Sequence, residues 1–370
     1  MTKIYLEHFH KKFSSTTAVD DLTLEVKDRE LLVFLGPSGC GKSTTLNCIA
    51  GIEEPTSGHI YFDDHDVTNW PAYKRNTAMV FQSALLYPHL TAWENIRMSL
   101  RIINIPNQEK DKKIKEVANL LKIDKLLDKL PSELSGGERQ RVATAKAIVR
   151  NPTVFLMDEP LASLDAGMRE FLRSEIVRLN KRLSITMVFV THDQVEAMTM
   201  GDRIAVMLEG KLQQVGTPDD IYNTPVNTFV ASFVGTPPMN LFEGNIIKKS
   251  GNEYLFKSES FYLKIPKLLI KCIKEPLGDR RSVILGARPQ NITLFEKSSE
   301  GAVAGQIFNV EKLGKETIVI IEYNKGESRF KTIADSSFSK SMGDIIFALP
   351  QAEHLYLFDP NSGMNLCVSY

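Results

Sequence analysis

Apolar and polar residues alternate over Lys3–Leu6 and Leu22–Val26, the period-2 pattern of strands with one buried face. Leu31–Leu35 is apolar without interruption and predicts a strand buried on both faces. Residues 109–121 are densely charged, yet Ile114, Val117, Ala118 and Leu121 recur at helical spacing. That pattern predicts an amphipathic surface helix, with the Lys110–Lys115 run as its solvated face. Val154–Met157 and Ile185–Val190 are two further apolar strands, with a helical stretch, Arg169–Leu183, between them. A strand, a crossover helix and a second strand predict a parallel βαβ unit. Ile204–Leu208, Glu209-Gly210 and Lys211–Val215 predict a hairpin. After Gly235-Thr236-Pro237-Pro238 the pattern changes to short strand-like runs: Tyr262–Ile265, Ser282–Leu285, Thr317–Glu322 and Ile345–Leu349. Short strands with Gly-rich turns predict a small β-barrel or sandwich. The expectation is an α/β domain over residues 1–235 and an all-β domain over residues 236–370.

With 370 residues the chain is long enough for two cores. Its 45 Lys plus Arg balance 45 Asp plus Glu, so no global basic charge recruits nucleic acid or anionic lipid, although a local basic patch stays open. The first ten residues, Met1–His10, are polar and lack the apolar region of a signal peptide. No apolar run approaches the roughly 20 residues that span a bilayer, so a membrane role would go through a partner. The cysteines Cys40, Cys48, Cys272 and Cys367 form no CxxC pair, which argues against zinc and suits a reducing compartment. His8 and His10 share a strand face without a further ligand at metal spacing.

Gly36-Pro37-Ser38-Gly39-Cys40-Gly41-Lys42-Ser43 matches the phosphate-binding loop G-x-x-x-x-G-K-[ST], and it follows an apolar strand and precedes a helical pattern, as that loop requires. Its glycines let backbone N–H groups converge on phosphate oxygens, and the helix that follows adds its positive dipole end. Lys42 would reach the β- and γ-phosphates, the Ser43 hydroxyl would bind Mg²⁺, and Thr44 would donate to the α-phosphate. The loop alone says nucleotide; it does not separate kinase, GTPase, helicase and transporter. Val154–Met157 then runs into Asp158-Glu159. A carboxylate at a strand end beside the loop would hold Mg²⁺, directly or through water, and Glu159 would polarise the attacking water as general base. Ser135-Gly136-Gly137 precedes a helical stretch, Arg139–Val149, and supplies a second helix N-terminus suited to phosphate.

Leu134-Ser135-Gly136-Gly137-Glu138-Arg139-Gln140 resembles the signature motif of ATP-binding cassette (ABC) ATPases. Gln82 resembles that family's Q-loop glutamine, Leu164-Asp165 its D-loop, and Thr191-His192-Asp193 its switch histidine, all in the family's order and spacing over residues 1–235. The resemblance implies an α/β ABC-type nucleotide-binding domain with a helical subdomain near residues 90–150, followed by an OB-like β accessory domain. It implies ATP and Mg²⁺ as cofactors, Ser43, Gln82 and Asp158 at the metal, and Glu159, His192 and Gln82 in catalysis. It also implies two subunits, read as identical copies, sandwiching two ATP molecules so that Ser135, Gly136, Gly137 and Asp165 serve the partner's nucleotide. Phe13 stands at the family's spacing for an adenine-stacking aromatic, with a core Phe as the competing reading. Ser83–His89 stands where the family lines a groove for a short helix of the permease, with core packing as the competing reading. Glu138, Lys146 and Ala162-Ser163 depart from the family's common residues without removing a phosphate contact. Thr191–Met198 and Gly235–Asn240 look like the maltose and multiple-sugar importer ATPases. The expected role is therefore an ATPase subunit on the cytoplasmic side of the cell membrane, peripheral, joined to permease subunits and indirectly to an extracytoplasmic solute-binding protein, with no nucleic acid partner. The expected cargo is a carbohydrate or related polyol. Polyamine, sulfate or iron import and a soluble non-transport ABC protein are the alternatives.

Overall fold

A computed structural model describes residues 2–249, 253–271, 273 and 280–367; Met1 and Cys272 lie outside the described residues. The chain divides into two compact units, Met1–Pro218 and Asp219–Tyr370. The first unit opens with β1 (Ile4–Phe13), β2 (Thr16–Val26) and β3 (Leu31–Leu35), which runs into helix α1 (Lys42–Ala50). Strands β4 (Ser57–Phe62), β5 (His65–Asp66) and β6 (Thr77–Val80) follow. Helices α2 (Ala92–Ser99), α3 (Asn107–Leu121) and α4 (Gly136–Ile148) fill the segment expected to be helical. The unit closes with β7 (Val154–Asp158), α5 (Ala166–Leu183), β8 (Thr186–Thr191), α6 (Gln194–Met200), β9 (Arg203–Leu208) and β10 (Lys211–Gly216).

The strands form two sheets, an antiparallel one in the order β2-β1-β4-β5 and a six-stranded one in the order β10-β9-β3-β8-β7-β6. In the second, β9, β3, β8, β7 and β6 run parallel, and β10 returns antiparallel through Glu209 and Gly210, both at positive φ. All five residues of β3 and all six of β8 are buried, the polar Thr186 and Thr191 at the ends of β8 included, as in central parallel strands with both faces covered. One apolar core joins the two sheets, with Ile4, Phe9 and Leu24 against Phe34, Leu46 and Val190.

β1 runs seven residues beyond the stretch read from its alternation. His8 sits at φ 44 where the register shifts against both β2 and β4, so Phe9 takes the buried place that strict period 2 would give to His8. The bulge hides the strand from a period-2 reading.

Arg75 is 2% exposed, and its guanidinium binds only carbonyl oxygens: Trp70 at 2.8 Å, Cys48 at 2.6 Å, Ile49 at 3.1 Å and Thr68 at 2.9 Å. Two of these belong to the last turn of α1, where a cation meets the negative end of the helix dipole.

The second unit carries two short helices, α7 (Pro218–Asn223) and α8 (Thr228–Phe233). β11 (Asn240–Lys249), β12 (Glu253–Lys257), β13 (Tyr262–Ile265), the short α9 (Lys267–Lys271), β14 (Arg280–Ala287) and β15 (Ile292–Phe295) follow. β16 (Val303–Lys312), β17 (Glu316–Tyr323), β18 (Ser328–Asp335), β19 (Ile345–Pro350) and β20 (Leu355–Phe358) complete it. They make two five-stranded antiparallel sheets, β13-β12-β11-β14-β20 and β15-β19-β16-β17-β18. Phe242, Phe256 and Leu285 of one sheet pack with Ile307, Val319 and Phe330 of the other. The buried Arg288 donates to the carbonyls of Tyr222 and Val234 and lies 3.8 Å over the Tyr222 ring, which ties α7 and α8 to the strands. The Gly235–Pro238 break thus lies inside this unit, just before β11.

Replacing Arg75 with Met leaves four carbonyl oxygens without their donor. Arg75→Met should lower stability by about 2–4 kcal/mol, read from urea midpoints. A loss below ~0.5 kcal/mol would mean that water replaces the guanidinium at no cost.

Candidate functional site

The loop between β3 and α1 is shaped by close approaches. A Cβ on Gly36 would overlap the Met207 carbonyl oxygen of β9, and Gly41 combines φ 100 with the Ala18 carbonyl against its Cα. Only glycine fits either place. No side chain caps the start of α1, and its first turn holds no acidic residue, which leaves that N-terminus to face an anion. Lys42 is 4% exposed, and its Nζ donates to the carbonyls of Gly36 and Pro37, each at 2.8 Å. The ammonium is therefore held inside the loop by weak acceptors that a phosphate oxygen would replace. Ser38 and Gly39 are exposed at the crest, and Thr44 follows Ser43 in the first turn. Burial pushes the Cys40 thiol up, and the side chain packs inside the loop.

The parallel order β3-β8-β7 brings three strand ends to one edge, since Leu35 pairs with Thr191 and Asp158 with Val190. At that edge the Ser43 hydroxyl donates to Asp158 Oδ1 at 2.7 Å. Burial pushes the Asp158 carboxyl above its ordinary range, and the Ser43 hydrogen bond works against that shift. A carboxylate oxygen and a hydroxyl oxygen side by side, the first short of solvation, are the donor types a Mg²⁺ ion takes. Among the described residues no group of three His, Cys, Asp or Glu could hold a metal by itself, so any ion here would share the phosphates of a ligand. Glu159 turns into the left-handed region at φ 43 while its N–H bonds the Val190 carbonyl at 3.0 Å. Such a conformation costs a non-glycine residue roughly 1–2 kcal/mol. It sets Glu159 Oε2 3.1 Å from His192 Nδ1, one residue beyond β8. Behind His192, Thr191 donates to the buried Glu196 at 2.6 Å, and Asp193 caps α6.

Residues 19–162 match the family model for the ABC transporter, and residues 235–292 match that for the MalK OB fold domain. The trehalose/maltose import ATP-binding protein of Thermococcus litoralis is 42% identical, over 98% of this chain and 99% of its own length. The oligosaccharides import ATP-binding protein of Bacillus subtilis is 40% identical over 98% of this chain and 97% of its own. The chain belongs to the ABC transporter ATP-binding proteins. Its fold neighbours include a cassette dimer in a post-hydrolysis state bound to ADP and Pi, with TM-score 0.53 and 30% identity, covering 58% of this chain and 98% of that one. This protein is accordingly an ABC ATPase that binds ATP.

Within the ABC domain the remaining expected site residues fall into separate places. Gln82 is exposed, two residues past β6, whose Val80 pairs with Met157 of β7. Ser135 caps α4: Glu138 N–H donates to its hydroxyl at 3.3 Å, and Ser135 N–H donates to Glu138 Oε2 at 2.8 Å. That second bond holds the Glu138 carboxyl below its ordinary range, so the departure at this position serves as a reciprocal cap. Gly136 and Gly137 pack against Leu164 and Met168, and Asp165 caps α5 by accepting Met168 N–H at 2.9 Å. The signature and D-loop residues thus form a second cluster, built on two helix N-termini. Phe13 is 45% exposed at the end of β1 with Lys11 Nζ 4.6 Å above its ring, so the core reading of Phe13 is set aside. Leu85 and Tyr87 are also exposed, which sets aside core packing for the Ser83–His89 stretch. The partner of Thr191, Glu196, escaped the sequence reading, although both lie in the Thr191–Met198 segment.

Gly41→Ala should weaken ATP binding at least about tenfold, or ~1.4 kcal/mol, with the circular dichroism of the fold retained. Unchanged affinity by calorimetric titration would show that β2 can retreat from the loop.

Proposed function

We propose that this ATPase powers import of a carbohydrate or related polyol, hydrolysing Mg-ATP at the carboxyl edge of β3, β8 and β7. The observation that carries the chemistry is the alignment of Lys42, the Ser43–Asp158 pair and the Glu159–His192 pair along that edge. Ser43, Asp158 and Gln82 would hold Mg²⁺, which when bound offsets the phosphate charge. Lys42 exchanges its two carbonyl acceptors for phosphate oxygens, and the Gly36–Gly41 backbone and Thr44 take the rest of the triphosphate. Phe13 offers its exposed face to adenine. Glu159 takes a proton from the attacking water as its oxygen bonds the γ-phosphorus and the bond to the ADP oxygen breaks. His192 keeps the Glu159 carboxylate and the water in line.

The second cluster has its use in a two-fold dimer. Ser135, Gly136, Gly137 and Asp165 of one chain would close over the nucleotide of an identical copy, and a pair of helix N-termini is suited to that anion. Dimeric fold neighbours support this. Closing with ATP and opening after hydrolysis would drive a permease, with the exposed Leu85–Tyr87 stretch as its docking surface and a solute-binding protein on the far side. Among the described residues no helix is long and apolar enough to cross a membrane, in keeping with a peripheral subunit on the cytoplasmic face. The cargo class rests on relatives of 40–42% identity named for trehalose/maltose, oligosaccharides, xylose/arabinose, sn-glycerol-3-phosphate and osmoprotective compounds.

Glu159→Gln should lose at least about 100-fold in turnover, bind ATP normally and run as a dimer on size exclusion with Mg-ATP. Adding Ser135→Arg should return it to the monomer. Turnover near the native rate would refute the base assignment. In cells, Lys42→Ala should abolish uptake of a labelled sugar or polyol; intact sugar uptake with lost polyamine, sulfate or iron uptake would refute the cargo.

A further inference from the structure

The segment from Gln82 to Leu90 leaves β6 and forms no regular structure before α2. Two side chains fasten it. Asn95 of α2, fully buried, accepts the Tyr87 N–H at 2.8 Å and donates to the carbonyls of Tyr87, Leu90 and Thr91 at 3.1, 2.9 and 3.1 Å. Lys146 of α4 donates to the Leu85 carbonyl at 2.9 Å, and its Nζ stands 4.5 Å over the Tyr87 ring. Beside this contact lies a cavity of about 270 Å³ lined by Phe81, Leu85, Ala143, Lys146 and Arg150. The apolar faces of α4 and the segment are apart there, so the ammonium spans a gap that packing does not close. Burial lowers the Lys146 pKa, which marks how much of its hydration this position has given up.

We infer that Lys146 is a positioning residue that fixes Gln82 by binding Leu85 and Tyr87 to α4, and so couples the Ser135 end of that helix to the metal side of its own chain's ATP site. The inference rests on the proposed role of Gln82 at Mg²⁺. α4 is a continuous helix, so Lys146 rides about 16 Å from the Ser135 cap on one rigid rod. Gln82 is three residues from Leu85, a chain span of at most about 10 Å. Lys146 thus offers a direct route from the signature end to Gln82, beside the one that runs through α2 and Asn95. The contact needs a cation over the Tyr87 face and an N–H donor to the Leu85 carbonyl; arginine supplies both, and methionine supplies neither the charge nor the donor.

The test uses the full chain as Lys146→Met, Lys146→Arg, Tyr87→Leu and Gln82→Ala. Without nucleotide, amide exchange over residues 83–90 should speed up in Lys146→Met and stay native in Lys146→Arg. The Mg²⁺ concentration for half-maximal hydrolysis should rise about tenfold in Lys146→Met and Gln82→Ala, with ATP affinity measured without Mg²⁺ unchanged. Tyr87→Leu, which keeps the Leu85 carbonyl, should fall between and holds the test open should Lys146→Met fold poorly. A raised Mg²⁺ requirement in Gln82→Ala with native values in Lys146→Met and Tyr87→Leu would overturn the Lys146 role alone. A native requirement in Gln82→Ala would overturn the Gln82 reading, and this inference with it.

Discussion

Because β3, β8 and β7 run parallel, with Leu35 beside Thr191 and Asp158 beside Val190, their carboxyl ends finish within a residue of one another. The groups proposed to meet the phosphates and the attacking water hang from that edge. The loop after β3 carries Lys42, the end of β7 carries Asp158 and Glu159, and the residue after β8 is His192. A slip of β8 by one residue would exchange the side chains on its two faces and take Thr186 from the Thr2 carbonyl and Thr191 from Glu196, so the polar ends of the strand fix the register that the site depends on.

At that rim the polar groups are already paired with one another. Lys42 rests on the carbonyls of Gly36 and Pro37, Ser43 on Asp158, and His192 on Glu159. Each is a contact that phosphate, Mg²⁺ or water would take over with a stronger partner. The second cluster follows the same logic in a different place: Ser135 and Asp165 spend their oxygens on helix caps, which orients two helix N-termini while leaving Gly136 and Gly137 bare of side chains.

Much of this was legible along the chain. The Gly36–Ser43 spacing could be read because backbone geometry demands glycine at Gly36 and Gly41, whatever surrounds them. The short runs Tyr262–Ile265, Ser282–Leu285, Thr317–Glu322 and Ile345–Leu349 fall on β13, β14, β17 and β19. β11 went unmarked because Glu243, Asn245 and Lys248 dilute its apolar positions, and β1 was cut short by its bulge at His8. The buried cations were not legible at all. No pattern along the chain marks Arg75 or Arg288 as buried, and only the fold shows them bound to carbonyls. Lys146 and Leu85 stand 61 residues apart, and no local pattern announces their contact.

The most direct test of the account is a crystal structure of the Glu159→Gln variant grown with ATP and Mg²⁺. The account predicts two chains around two nucleotides, with Lys42 Nζ moved from the Gly36 and Pro37 carbonyls onto phosphate oxygens and Ser43 released from Asp158 to the ion. Each triphosphate should also touch Ser135 and Gly137 of the opposite chain. A nucleotide bound away from the β3-β8-β7 edge, or one enclosed by a single chain with Lys42 still on its carbonyls, would contradict it.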